Sequence, residues 1–232
     1  MALKRLSAVP KKPQEDDTSS RIVAAATQLF ATKGYEGTST KEICDAAEVN
    51  VAAVHYHFGS KEELYRHIIE SFGGVRLKSV RRILEPPDNP EELKIRLQMF
   101  LEEAIEPFLQ QPEVCKIIQT VVELLHARSE DVFRGTFLKL FETLVDFLSH
   151  ARKRGLISKN VEPRFAARCL YSQICHQTRS DNVYLRFYDV SLRQSAYRRT
   201  WIEQTLCIFL GGVSNTGAIP SKLTHDARRK IS

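Results

Sequence analysis

The sequence predicts an all-α protein, a compact N-terminal unit of three helices followed by a larger helical domain. Three observations carry that expectation. Between Ser39 and Leu64, helix starts and stops follow one another at the spacing of very short helices. After the firm break Pro86-Pro87-Asp88-Asn89-Pro90, apolar residues recur every three or four positions and never alternate. Glycine-rich phosphate loops and strand patterns are absent throughout. With 232 residues, the chain suits a small headpiece plus a larger domain, or one large helical unit.

Composition narrows the function classes. No apolar run reaches the roughly eighteen residues that a membrane helix needs, and Met1–Lys12 lacks a signal-peptide apolar stretch, so a cytoplasmic protein without a membrane partner is expected. The net charge of +6 suits a polyanion only weakly. Nine Lys/Arg stand against eight Asp/Glu over residues 18–85, which leaves that region nearly neutral and places much of the excess in the tails and later helices. Five cysteines (Cys44, Cys115, Cys169, Cys175, Cys207) make no CxxC pair and no metal spacing with histidine. They read as reduced, partly buried thiols, with a redox sensor as the sharper alternative. No metal and no cofactor is expected.

Residues 1–17 combine Pro10 and Pro13 with Lys4, Arg5, Lys11 and Lys12 and then Glu15–Asp17, and are expected to form a disordered tail. The first helix should run from about Ser19 to Lys33 and end at Gly34, with Ile22, Ala26, Leu29 and Phe30 facing inward. Ser39 with Glu42 is a capping box that starts a second helix at about Thr40, with Ile43, Ala46 and Ala47 on its apolar face. Asn50 is a good N-cap for a third, in which Val54 and Phe58 fall on one side and Gly59 supplies the stop. Ser60 with Glu63 opens the next helix. A helix of barely two turns is unstable alone, so packing must place it, and its other face stays free. That is the layout of a helix-turn-helix, with Asn50–His57 as the helix entering a DNA major groove.

The residue types suit that role. Thr40, Tyr56, His57 and Lys61 are donors for phosphate oxygens, as are Tyr35 and Thr38, with Ser39 beside them, at the exit of the first helix. Lys61 also stands in a first helical turn, where free N–H groups favour an anion. Base reading falls to Asn50, Val51, Ala52, Ala53 and His55, where Val51 and Ala52 suit thymine methyl groups. Buried core positions are the alternative reading for Tyr56 and His57. The basic residues of the N-terminal tail could lie along phosphates or in a minor groove.

Over Ser20–Phe72 the sequence resembles the DNA-binding domain of the TetR family of bacterial transcriptional regulators. The resemblance rests on Ala25–Ala26, Leu29–Phe30, Gly34, Thr40, Ile43, Ala47, Val49, Tyr56, His57, Phe58, Lys61, Glu62 and Leu64. It implies phosphate contacts from Thr40, Tyr56 and Lys61, and a regulator that is usually a repressor. Two positions depart from the family pattern: Glu48 stands where glycine is usual in the turn, and His55 where tyrosine is common. A non-glycine residue in a left-handed turn conformation costs about 1–2 kcal/mol.

Glu62 to about Leu84 reads as a long helix interrupted at Gly73–Gly74, either by a flexible joint or by a helix end. Beyond the proline break, Leu93 to Phe108 form a helix that Pro107 should kink or end. Val114 to Leu125 and Phe133 to Leu148 form two more, and Pro163 opens another that carries Ala166, Ala167, Cys169, Leu170 and Ile174. Gly155 to Leu170 also resembles the body of TetR regulators, less specifically. The last helix, about Leu192 to Leu210, presents an apolar surface too wide for one contact. This points to a homodimer through a four-helix interface that includes Ala166, Leu170, Tyr197, Trp201 and Ile208. Polar residues on otherwise apolar helices, Cys115, Gln119 and His126 on one and Gln173, His176 and Gln177 on another, are candidates for a small-molecule effector pocket.

The expected organisation is a tail over 1–17, a helix-turn-helix domain over 18–72, an effector-binding and dimerisation domain over 73–213 and a basic tail over 214–232. The chain should be a dimeric regulator that binds a double-stranded DNA operator. A helical protein-interaction module, localised by its headpiece and without small-molecule control, is the rival reading. No Ser/His/Asp set or paired carboxylates sit on a recognisable scaffold, which disfavours an enzyme.

Overall fold

A computed structural model describes residues 13–124 and 127–213, with the side chains of 13–16 excepted. The expected tails, apart from 13–17, lie outside the described residues, as do Leu125 and the candidate pocket residue His126. Every regular element among the described residues is helical: α1 (Pro13–Lys33), α2 (Thr40–Ala46), α3 (Ala52–Phe58), α4 (Lys61–Ile83), α5 (Pro90–Gln110), α6 (Pro112–Leu124), α7 (Ala127–Phe133), a π-helical turn (Arg134–Leu138), α8 (Lys139–Lys153), α9 (Pro163–Tyr188) and α10 (Ser195–Val213). None of these is long and apolar enough to cross a membrane.

The chain divides into two compact units, Met1–Gly74 with Gln111–Gly135, and Val75–Gln110 with Thr136–Ser232. In the first, Ile22, Ala26, Phe30, Ile43, Val54, Leu64 and Ile69 close the core, and α6 packs on α1. In the second, α5 packs on α9 and α10, and α8 on α9, around Leu97, Leu101, Leu144, Leu148 and Leu170.

Several boundaries differ from expectation for physical reasons. α1 begins at Pro13, inside the segment assigned to the tail; proline suits a first helical position. α4 runs unbroken through Gly73–Gly74, because packing along the helix outweighs the intrinsic cost of about 1 kcal/mol per glycine. Pro107 is buried within α5, and the helix continues to Gln110. It falls in the last turn, where a single main-chain bond is lost. The expected helix over Phe133–Leu148 is carried by α7, the π-helical turn and α8.

α9 starts at Pro163 as the sequence indicates, with the Glu162 carboxylate accepting from the N–H groups of Arg164 and Phe165 at 3.1 and 2.6 Å. Its C-terminal end is tied to the connection with α10 by buried Asp181, which accepts from the Ser191 hydroxyl and the Leu192 N–H, both at 2.7 Å.

Candidate nucleic-acid interface

α2 is set by the capping box. The Ser39 hydroxyl accepts from the Glu42 N–H at 3.2 Å and donates back to the carboxylate at 2.8 Å, while the Ser39 N–H donates to the same carboxylate at 2.8 Å. Lys33 pairs with Glu42 at 2.7 Å. This lysine, with both Ser39 donors, pulls the Glu42 carboxyl down to about 2. Ser39 is therefore engaged by Glu42 in both directions.

The turn after α2 closes as a Schellman motif. The N–H of Glu48 bonds to the carbonyl of Asp45 at 3.2 Å, and that of Val49 to the carbonyl of Cys44 at 3.0 Å. Glu48 occupies the left-handed position with φ 53°, where glycine would be strain-free. Arg21 reaches over from α1, its Nε and Nη2 donating to the Ala47 carbonyl and its Nη2 to that of Glu48 at 2.7 Å. A cation at the carbonyl end of a helix also suits the helix dipole.

The α3 helix begins two residues later than the expected Asn50. The Asn50 side-chain carbonyl accepts from the Ala52 N–H at 2.9 Å, and its main-chain carbonyl from Ala53 at 2.8 Å. The amide –NH2 is the part of Asn50 left to face a ligand. Val54, 1% exposed, anchors the helix inward, and the Phe58 ring lies 5.4 Å from that of His67. The opposite face carries Val51, Ala52, His55 and Tyr56, all exposed, with Tyr56 at 74%. Ala53 and His57 are half-buried at its edges. The His55 Nδ1–H donates to the Gly59 carbonyl, which fixes the ring at the end of the helix. Gly59 closes α3 with φ 78°.

Two residues expected at phosphate are otherwise occupied here. Thr38 is 2% exposed, and its hydroxyl donates to the Gly34 carbonyl at 2.8 Å; that inward position is a correction to its reading as a surface donor. The Lys61 ammonium donates to the carbonyls of Tyr35 and Thr38 at 3.0 and 2.8 Å, bracing the loop between α1 and α2. Thr40 is half-exposed at the first position of α2. Of the second capping box, the bond from the Glu63 N–H to Ser60 Oγ, 3.1 Å, is present.

A protein-family profile described as "Bacterial regulatory proteins, tetR family" matches residues 22–68, the segment that builds this interface. Residues 22–68 are a TetR-family segment.

TetR-family proteins are transcriptional regulators, not enzymes. Curated relatives agree. "Probable HTH-type transcriptional regulator YttP" of Bacillus subtilis is 42% identical over 55 residues, 24% of this chain and 27% of that protein. The transcriptional repressor NicS of Pseudomonas putida is 25% identical over 154 residues, 64% of this chain and 69% of that protein. Among solved structures, the regulator FadR of Bacillus subtilis in complex with stearoyl-CoA superposes with a TM-score of 0.67 at 13% identity, covering 84% of this chain and 98% of that one. This last likeness shows the shared fold.

Other candidate residues of this chain are placed differently from expectation. Ala166 and Leu170 are buried in the core of their own unit and leave no side-chain surface for a second copy. The outward face of α9 is instead Phe165, Cys169, Ser172, His176, Val183 and Phe187. On α10, Ile208 is 75% exposed, and Tyr197 and Trp201 are half-buried. Gln173 and His176 stand exposed on α9, whereas Gln177 is 6% exposed and its side chain meets the Tyr197 hydroxyl of α10. Cys115 and Gln119 are half-buried on α6. Cys44 alone of the cysteines is buried; Cys169, Cys175 and Cys207 are exposed, more than the sequence suggested.

Arg21 and Arg128 could not be singled out from the sequence. Each acts on main-chain or loop groups more than twenty residues away, which no local pattern records.

Proposed function

We propose that the chain is a dimeric, sequence-specific regulator in the bacterial cytoplasm, a repressor released from its operator by a small-molecule effector. The observation that carries this reading is the outward face of α3, where exposed His55 and Tyr56 stand beside Val51 and Ala52 on a helix pinned by buried Val54. Tyr56, Thr40, His57 and Lys61 contact phosphate, and Asn50, Val51, Ala52, Ala53 and His55 read base edges. Residues 18–72 form the DNA-binding domain and 73–213 the effector-binding and dimerisation domain.

Two copies pair through the outward faces of α9 and α10, where Phe165, Val183, Phe187 and Ile208 supply exposed apolar surface. The paired α3 helices then meet successive major grooves, about 34–36 Å apart or a multiple of that distance. Buried Gln177, beside the Tyr197 hydroxyl, supports an effector with a hydrogen-bonding group and an apolar remainder. Release requires that the effector bind the non-operator conformation more tightly, typically by about 1–3 kcal/mol of coupling.

The test is selection of duplexes from a random pool by the purified protein, followed by titration. Tyr56→Phe and Lys61→Ala should weaken binding to every sequence, and Lys61→Ala should reduce the salt slope by about one per protomer. Undiminished affinity of both variants would refute the contact set.

A further inference from the structure

Within the first compact unit, the first turn of α7 grips the loop between α1 and α2. The Arg128 guanidinium carbon lies 4.1 Å from the centre of the Tyr35 ring, and its Nη2 donates to the Glu36 carboxylate at 2.6 Å. It therefore holds two consecutive loop residues, one through its π-face and one through its charge. Lys61 lies 4.1 Å from the centre of the same ring while donating to the Tyr35 and Thr38 carbonyls. The ring is backed by Phe30 at 5.8 Å and Tyr65 at 5.0 Å.

Arg128 is itself fixed. Its carbonyl accepts from Arg66 Nη1 at 2.6 Å, and Arg66 pairs in a fork with Asp131 at 2.7 and 2.5 Å. The contacts close a ring: from α4 through Arg66 to α7, from α7 through Arg128 to the loop, and from the loop back to α4 through Lys61. The loop has little freedom to accommodate an error. Gly34 holds φ +73°, and a Cβ at Gly37 would stand 2.4 Å from the Lys33 carbonyl oxygen. Its far end is Ser39, the cap of α2, so the loop places Thr40 as well as the Lys61 ammonium.

We propose that Arg128 is a positioning residue for operator binding. It touches no DNA and sets the placement of Lys61 and Thr40 by fixing Tyr35 and Glu36. A binding group must be held within about 0.5 Å of its productive place, and Arg128 is the side chain that supplies this restraint from outside the helix-turn-helix. The inference rests on the phosphate contacts proposed above.

The experiment is a double-mutant cycle in DNA affinity on the full chain, read by fluorescence anisotropy over a salt series. The probe is a duplex selected by the wild-type protein from a random pool. Arg128→Met should weaken binding about tenfold and lower the salt slope by no more than Lys61→Ala does, because it acts through the Lys61 contact and makes none of its own. Arg128→Lys, whose ammonium can still sit on the ring, should recover part of the loss. The double variant with Lys61→Ala should lose clearly less than the sum of the two single losses, the part that runs through Lys61 being counted once and the part that runs through Thr40 remaining. Should Arg128→Met melt below the assay temperature, Arg128→Gln replaces it in the same cycle. Additive losses, a slope lowered further in the double variant than in Lys61→Ala alone, or undiminished affinity of the Arg128 variant would overturn the proposal. If Lys61→Ala itself has no effect, the DNA-contact reading falls first, and this inference falls with it.

Discussion

Arg21 on α1 donates a hydrogen bond of 2.7 Å to the main-chain oxygen of Glu48, the residue that bends the chain between α2 and α3. Glu48 sits there in a left-handed conformation at φ 53°. A long-range clamp thus holds a turn that the local sequence disfavours. The clamp couples the first helix to the entry point of the recognition helix.

Replacing Glu48 tests the strain. Glu48→Gly removes about 1–2 kcal/mol of left-handed penalty and adds about 0.4–1 kcal/mol of unfolded-chain entropy. The melting temperature should rise modestly. Glu48→Ala keeps the penalty and should leave it nearly unchanged. Both remove a carboxylate close to α3, so both should bind duplex more tightly at low salt, with the gain fading as salt rises. Thermal melts beside anisotropy titrations separate the two effects.

Removing the clamp acts in the opposite direction. Arg21→Met leaves the Ala47 and Glu48 carbonyls without their guanidinium donor and should cost about 1–3 kcal/mol of stability. Urea unfolding of the full chain measures it. A midpoint equal to wild type would show that the turn holds itself.

The α2 cap predicts a pH window. Glu42 titrates at about 2 in the folded chain, and at about 4.3 when unfolded. Its folded value is depressed, so its contribution is complete above the unfolded value and is lost as pH falls toward the folded one. The stability difference between wild type and Glu42→Gln should therefore be constant above about pH 5 and shrink below about 4.3. It should be gone near 2. Asp131, held at about 2 by Arg66, should titrate in the same window. Melting curves at stepped pH give the answer, and a difference that persists at the acid end would contradict it.

Asp181 is the corresponding test in the second unit. Asp181→Ala strands the Ser191 hydroxyl and the Leu192 N–H in a buried site, at a cost of about 3 kcal/mol. Asp181→Asn keeps one acceptor and should lose less. Denaturant midpoints of the two variants rank them.

The helix-turn-helix was legible because its determinants are local. Ser39 with Glu42 and Gly59 each act within about three residues of where they stand, and each does in the structure what its chemistry suggests, whereas Asn50 bonds the Ala52 N–H and leaves the cap position to Val51. Thr38 was read as an outward donor because sequence shows residue type, not direction; folding turns it inward onto the Gly34 carbonyl. Ala166 and Leu170 failed as interface candidates for the same reason, since a helical repeat identifies two faces without saying which one the protomer keeps. Gly73–Gly74 failed because propensity is a weak prior against packing.

Seven residues make α3 about 10 Å long, the rise of roughly three base pairs. A three-letter word in a four-letter alphabet recurs by chance about once in 64 steps. One head can thus spell a syllable but not an address; two syllables at a fixed interval recur only about once in 4,096 steps. The brevity of this helix is the reason the proposed reading needs two copies.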